Sequence, residues 1–462
     1  MSAVTIGSRR LGQIGSDIAL LVVAPAVVGA GAVLRPTPAI VALIGATSLL
    51  LLLKPDVSAV LAVAVLPFPL GLPTGLPVEL SATDALILLA LAGWLLQAVL
   101  QPAQTTRARV LRPLRVPLAA YGAAMLLSIA VHPSVPAAVT ALQRAELVIG
   151  GLLLGAGLVR IGRLRLSLEL FLMAASLLAV AATLDTGAGE FLGVQKNPAG
   201  GFISAALFIS IIVKPSRRWI LYAPVLSIGL LASQSRGALA GALVGAALAV
   251  VVVRLRDRIR LLLGLVGVGA LLYASYAYLP ALDQARLLRF TGAEDYALQN
   301  RTDFQADALD QVSASPWTGV GVGNYLGGIR LPGISDPHQV LLFQLAEGGI
   351  PLLLAFLALI IGGAFVVMRH SRGAPIALAA LAVQVATLVH ALADVYWVRG
   401  TPTPAWLLIG ATLAAVWRAE RGDQLGLDWV PRSRGSARHR RTRRGNANAA
   451  EPTHPPVGSS VA

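Results

Sequence analysis

The chain has no cysteine in 462 residues, so it has no disulfide framework, no thiolate nucleophile and no cysteine-ligated metal site. Charge is scarce too. Asp, Glu, Lys and Arg supply 13% of the residues, where a soluble globular domain carries about 25%. With 56% hydrophobic residues and a mean hydropathy of +0.74, the soluble class is excluded. Alternating strand-length segments are missing, which excludes an outer-membrane barrel. What is left is an all-α integral membrane protein, long enough for a dozen or more spans of about 20 residues each. Arg9 and Arg10 precede an apolar run without a small-residue cleavage site. That run is therefore read as a first spanning helix and not as a removed signal peptide.

Apolar runs bounded by charge, proline and glycine lie near 16–33, 37–53, 57–70, 83–100, 116–131, 138–158, 166–183, 197–213, 219–232, 237–253, 261–279, 339–368, 374–392 and 403–417. The third is short, and Pro67, Pro69, Pro73 and Pro77 crowd its end, so it is expected to be broken or re-entrant. The expected fold is a polytopic membrane protein with about 12–14 transmembrane helices and one larger extracytoplasmic loop. The organisation follows from these runs. Residues 1–279 hold the N-terminal transmembrane helices, and 280–338 form the extracytoplasmic loop with short helices, a helical pattern lying near 297–313. Residues 339–418 hold the C-terminal transmembrane helices, and 419–462 read as a disordered basic cytoplasmic tail.

Placement of the 37 lysines and arginines sets the orientation. With the N-terminus inside, 28 fall in inside segments and eight outside, and Arg144 falls within a span. Every second connection is basic, the positive-inside pattern of a protein with both termini cytoplasmic. Composition rich in Ala, Arg and Gly points to a GC-rich bacterium; the expected location is the bacterial inner (plasma) membrane, with multiple passes. The tail carries Arg432, Arg434, Arg438, Arg440, Arg441, Arg443 and Arg444 among Ser, Gly, Asn and Pro. Such a segment next to a span meets anionic lipid headgroups. Its arginine-rich part, from Arg432 on, lacks the aromatic or folded support that nucleic-acid binding requires, so no nucleic-acid partner is expected.

Arginine is depleted outside, and so the arginines that remain there stand out. Arg236 lies in Ser233-Gln234-Ser235-Arg236-Gly237, a tight connection between two apolar runs. A guanidinium at the membrane surface either forks onto phosphate oxygens or snorkels to headgroups. Arg301 precedes Asp303, Asp307 and Asp310, whose spacing equally fits a solvated helix with local ion pairs. His338 follows Asp336 and Pro337, which read as cap and first turn of the long helix beyond, so the histidine is expected in that first turn. A neutral imidazole there can take a proton from a hydroxyl, or be an interfacial residue without chemistry. Arg144, Glu146 and Glu347 are ionisable groups inside spans, where they are costly and serve either function or structural pairing. Asp394 and Arg399, around Tyr396 and Trp397, read as a further interfacial pair or as part of an aromatic belt. The glycines of Gly319-Val320-Gly321-Val322-Gly323 do not follow a strand, and they are read as a turn-rich loop rather than a nucleotide cradle.

Four stretches in order resemble the O-antigen ligase and polymerase family of bacterial membrane glycosyltransferases. They are Lys196-Asn197-Pro198 opening a span, Ser233-Gln234-Ser235-Arg236-Gly237, the segment from Asn300-Arg301 through Ser315-Pro316-Trp317 to Gly323-Asn324-Tyr325, and His338-Gln339-Val340 through Glu347-Gly348-Gly349-Ile350. The first half of the chain matches mainly in hydropathy. The resemblance implies an enzyme that acts without metal or other cofactor on a polyprenyl-diphosphate-linked glycan donor, with a glycan or lipid acceptor. It implies His338 as the catalytic base or acceptor-positioning group and Arg236 and Arg301 as diphosphate-binding residues; from their own positions Arg144, Glu146, Arg330, Glu347 and Arg399 are read as supporting candidates. Where the family often has Asn after the histidine, this chain has Gln339. A repeat-unit polymerase and a lipid-linked oligosaccharide flippase or transporter stand as alternatives, the latter depending on Arg144 and Glu146. A metal-dependent glycosyltransferase would need acids in its first outside loop, where residues 34–36 offer Arg35 and no acid.

Overall fold

The computed structural model describes residues 38–69, 81–100, 110–184, 190–253, 293–327, 337–394 and 400–421, together with 258, 259, 262 and 267. Among the described residues the fold is all-α apart from one hairpin of two-residue strands, and its helices follow the apolar runs closely. They are α1 Pro38–Leu53, α2 Pro55–Val65, α3 Ala82–Leu100, α4 Arg115–Val131, α5 Val135–Arg160, α6 Leu164–Leu184, α7 Lys196–Val213, α8 Trp219–Ala232 and α9 Arg236–Val252. The chain continues with α10 Ala293–Ala314, α11 Asn324–Gly327, α12 Val340–Ser371, α13 Pro375–Ala391 and α14 Thr403–Glu420. The strands, β1 Glu190–Phe191 and β2 Val194–Gln195, pair antiparallel just before α7. Among the described residues six helices are long and apolar enough to cross a membrane, or seven with one bent pair counted as a span. Outward faces are apolar: Leu126 is 68% and Leu243 72% exposed, as suits contact with lipid chains. The protein is a multi-pass membrane protein. The apolar run at 16–33, that at 261–279 apart from residues 262 and 267, and the tail from 422 lie outside the described residues.

The bent pair is α1 and α2, which meet at 111°. The break falls at Lys54-Pro55, before the short third run and not at the prolines that follow it. Pro55 has no N–H to give the Leu51 carbonyl and disfavours helical geometry at Lys54. The hydroxyl of Ser58 donates to that carbonyl instead, at 2.6 Å. Buried helix ends find partners in the same way: Ser81 and Asp84 cap α3 reciprocally, backbone to side chain, at 2.8 and 3.2 Å.

Close helix pairs depend on missing side chains. A Cβ on Gly155 of α5 would run into the Leu407 carbonyl of α14, and one on Gly410 of α14 would run into that of Leu152. Gly241 and Gly245 bring α9 against Ala386 and Ala382 of α13 in the same way. Small residues at such contacts give van der Waals packing where no hydrophobic drive between helices exists.

The α5–α14 pair runs parallel and the α9–α13 pair antiparallel, and this packing sorts the charges. The ends carrying Arg112 and Arg115 of α4, Arg160 of α5, Lys214 after α7, Arg369 of α12 and Arg418 of α14 gather at one end of the bundle. Arg418 fixes this directly, its Nη1 donating to the Val159 carbonyl at 3.2 Å. His338, Asp394, Ser235 and the start of α5 lie at the other end.

Candidate functional site

His338 lies just before α12, with a left-handed backbone at φ 54°, a region that a residue with a Cβ occupies only when its surroundings impose it. Three contacts do so. Its ring stacks beside Phe304 of α10, with centroids 6.3 Å apart and planes 21° from parallel. Gln305 Nε2 donates to the carbonyl of Pro337 at 3.4 Å. Nδ1 of His338 lies 3.2 Å from Oδ1 of Asp394, just past the end of α13. The other carboxylate oxygen, Oδ2, is 3.8 Å from Nη2 of Arg301, whose Nη1 donates to the Ala393 carbonyl at 3.2 Å. One carboxylate thus bridges the imidazole and the guanidinium. Asp394 is 6% exposed, against 22% for His338 and 38% for Arg301, so the acid forms the floor and the two other groups face outward.

This arrangement corrects the expected cap. His338 is not in the first turn, because α12 begins at Val340 with Gln339 as its N-cap. The Gln339 side chain accepts from the N–H of Leu342. A left-handed residue cannot continue into a helix, so the imidazole is oriented by Asp394 and Phe304, not by the helix end. Arg301 likewise reaches across to Asp394, while Asp303, Asp307 and Asp310 are exposed along α10. Among the described residues no three His, Asp or Glu side chains gather as metal ligands.

Arg236 opens α9, and its side chain is exposed. Ser235 caps the helix by accepting from the Ala238 N–H and lies 3.4 Å from Nε2 of the buried His390. Gly237 lets the imidazole lie flat against the helix, since a Cβ there would be 2.5 Å from His390 Cδ2. His390 precedes Asp394 by four residues. The last turn of α13 and the residues just after it therefore touch both the Arg236 connection and the His338–Arg301 cluster.

Arg144 and Glu347 form a buried ion pair, α5 to α12, with the guanidinium 5.1 Å over the Phe343 ring. The pair locks the glycine-rich loop. At Gly349 the backbone of α12 leaves helical geometry, with φ 65° and ψ −166°, and Pro351 cannot donate to the Glu347 carbonyl. The loop takes over the orphaned groups: Gly321 N–H donates to the Glu347 carbonyl at 2.8 Å, Val320 N–H to Ala346 at 2.9 Å, and Ile350 N–H turns to Pro316 at 2.9 Å. Gly323 N–H adds a bond to Glu347 Oε1 at 2.9 Å. The close backbone approach of these glycines is thus to the protein's own broken helix.

Glu146 stands apart from this lock. Two residues beyond Arg144 it points to another face of α5, in the π-turn Glu146–Gly150, buried beside Asp84 of α3. Arg330 and Arg399 lie outside the described residues. Sequence reasoning underrated Asp394 and passed over His390. The available signal was an acid and a histidine four apart, closing an otherwise apolar run at the end of the bundle that is poor in basic residues.

An all-α membrane protein thus carries an imidazole, a buried carboxylate and arginines together at one end of its bundle. Residues 221–357 match the family model for O-antigen ligase, so this segment is O-antigen ligase-like. The match covers less than a third of the chain and includes Arg236, Arg301, His338 and Glu347, while Arg144 and Asp394 lie outside it. It implies O-antigen ligase- or polymerase-like glycosyltransferase activity on lipid-linked glycans. No curated protein matches the chain.

Proposed function

We propose that the protein is an inverting, metal-independent glycosyltransferase of the bacterial inner membrane, moving a glycan from a polyprenyl-diphosphate carrier to an acceptor hydroxyl outside the membrane. The observation that carries this reading is the Asp394 bridge between His338 and Arg301, at the end of the bundle opposite the basic connections. That distribution of charge supports cytoplasmic termini and an extracytoplasmic site. The arginines Arg301 and Arg236 would hold the diphosphate and stabilise the charge it gains as it leaves. An acceptor oxygen attacks the anomeric carbon from the face opposite the departing diphosphate. The new C–O bond forms as the old one breaks, polyprenyl diphosphate departs, and the hydroxyl proton passes to His338. With Nδ1 against Asp394, Nε2 is the ring atom assigned to receive it, and the carboxylate stabilises the imidazolium that results.

The transporter alternative relied on Arg144 and Glu146. The engagement of Arg144 by Glu347 beneath the glycine loop supports a scaffold role, which favours the transferase. The test is the lipid-linked glycan pool of a deletion strain complemented with wild type or His338→Ala, resolved by mass spectrometry. Accumulation of outer-leaflet donor in both deletion and mutant is expected. Long accumulated chains mean a ligase, and single repeat units mean a polymerase. Wild-type behaviour of the mutant, or accumulation on the inner leaflet, would overturn the reading.

A further inference from the structure

At the basic end of the bundle, opposite His338, the ends of α4, α12 and α14 enclose a cleft of about 470 Å³, within the roughly 300–1,000 Å³ range of small-ligand sites. Among the described residues its lining holds Arg112, Arg115, Arg369 and His370, against a single carboxylate, Glu420. Its wall is apolar, with Trp417 at its edge. The arginines are placed by local structure. Arg112–Leu114 is a 3₁₀ turn leading into α4, and residues three apart on such a turn eclipse, so Arg112 and Arg115 project together. Arg369 stacks over Phe365 at 4.1 Å, and Arg421 over Trp417 at 3.9 Å, holding aromatic rings and guanidinium groups at one level.

We infer that this cleft binds the phosphate headgroup of an anionic phospholipid in the leaflet at the basic end, a site separate from the glycan-transfer cluster and from the C-terminal tail. Three observations select a lipid over a soluble anion. The cations outnumber the one acid, which gives the charge complementarity that a phosphodiester needs. Beside these groups the lining is apolar, from Val110, Pro113, Val366, Leu413 and Val416, which suits glycerol and acyl carbons. Next to the rim, Val116 is 69%, Phe365 46% and Met368 44% exposed, so apolar surface continues from the arginines along the lipid-facing side of α4 and α12. A headgroup at the arginines with its chains along that surface satisfies both halves.

The full-length protein in detergent, titrated with phosphatidylglycerol or phosphatidylcholine and read by native mass spectrometry and thermal unfolding, tests this. Phosphatidylglycerol should be retained and raise the unfolding temperature, and phosphatidylcholine should not. The double substitution R112Q/R369Q should weaken phosphatidylglycerol binding about thirtyfold, while R217Q, an exposed arginine at the same end outside the cleft, should leave it unchanged. The charge-preserving R112K/R369K guards against misfolding by retaining most of the binding. Equal binding by R112Q/R369Q and wild type, equal loss in R217Q, or full reproduction of the thermal shift by inorganic phosphate would overturn the lipid site.

Discussion

Asp394 is the residue on which the candidate site turns, because it touches both groups that face outward. Asn at this position keeps the shape but not the charge that orients and stabilises His338. Asp394→Asn should therefore lower glycan transfer by about 10²–10⁴-fold at unchanged protein level, with a smaller effect on donor binding, as kcat and KM in a reconstituted assay would show. Combined with His338→Ala it should add little, since residues acting as a unit are not additive; additive losses would separate the two roles. His338 and Arg301 were legible in the sequence as outside residues in a recurring order, and the structure brings them together. Their common partner was not, because it lies 56 residues beyond His338 in the chain. Periodicity tells which face of a helix is apolar, but not which acid at a helix end meets which base across the bundle. The cap of α12 was misread for a related reason. Asp336-Pro337 has the composition of a helix start, whereas the left-handed backbone of His338 is imposed by tertiary contacts with Phe304, Gln305 and Asp394.

At the scale of elements, the glycine loop and the broken α12 make one device. The hydropathy run at 339–368 announced a long helix, but nothing in it disclosed a break at Gly349, because Gly-Gly-Ile-Pro fits a tolerated kink as well as a rupture. The glycines at 319, 321 and 323 showed only that the backbone approaches something closely. The φ and ψ of Gly349 are reserved for glycine, and a Cβ there would meet the carbonyl of Trp317. Gly349→Ala should thus cost about 1–3 kcal/mol, seen as a lower unfolding temperature in detergent. The buried pair beside it gives a sharper contrast. Removing one partner by Glu347→Leu strands the Arg144 guanidinium and should destabilise by about 3–5 kcal/mol. The double change Arg144→Met with Glu347→Leu should be milder than either single one, although the Gly323 N–H then loses its acceptor. A double mutant as damaged as the sum of the singles would mean that the pair does not act as a pair. The α13 turn makes a parallel case: His390→Leu should disturb the cap of α9 through Ser235 and impair donor binding through Arg236, measurable as a raised KM with His338 intact.

For the whole molecule, the alternation of basic and non-basic connections was the most legible feature, because charge sorting acts on single connections and needs no knowledge of packing. The structure gathers the basic helix ends at one end of the bundle and His338, Arg301 and Arg236 at the other, and which end faces the cytoplasm is a matter of measurement. Here the absence of cysteine is useful: any introduced cysteine is the sole thiol in the chain. Asp307→Cys, exposed on α10 at the candidate-site end, and Arg217→Cys, exposed between α7 and α8 at the basic end, mark the two sides without touching a described partner pair. In intact cells with a permeable outer barrier, a membrane-impermeant maleimide should label position 307 and leave 217 unlabelled until the inner membrane is opened. The reverse pattern would put His338 in the cytoplasm, where an acceptor outside the membrane could not reach it. The proposed transfer would then fail as a whole, whatever the effect of any single substitution. Labelling of both positions in intact cells would break the link between charge and side from which the orientation was built.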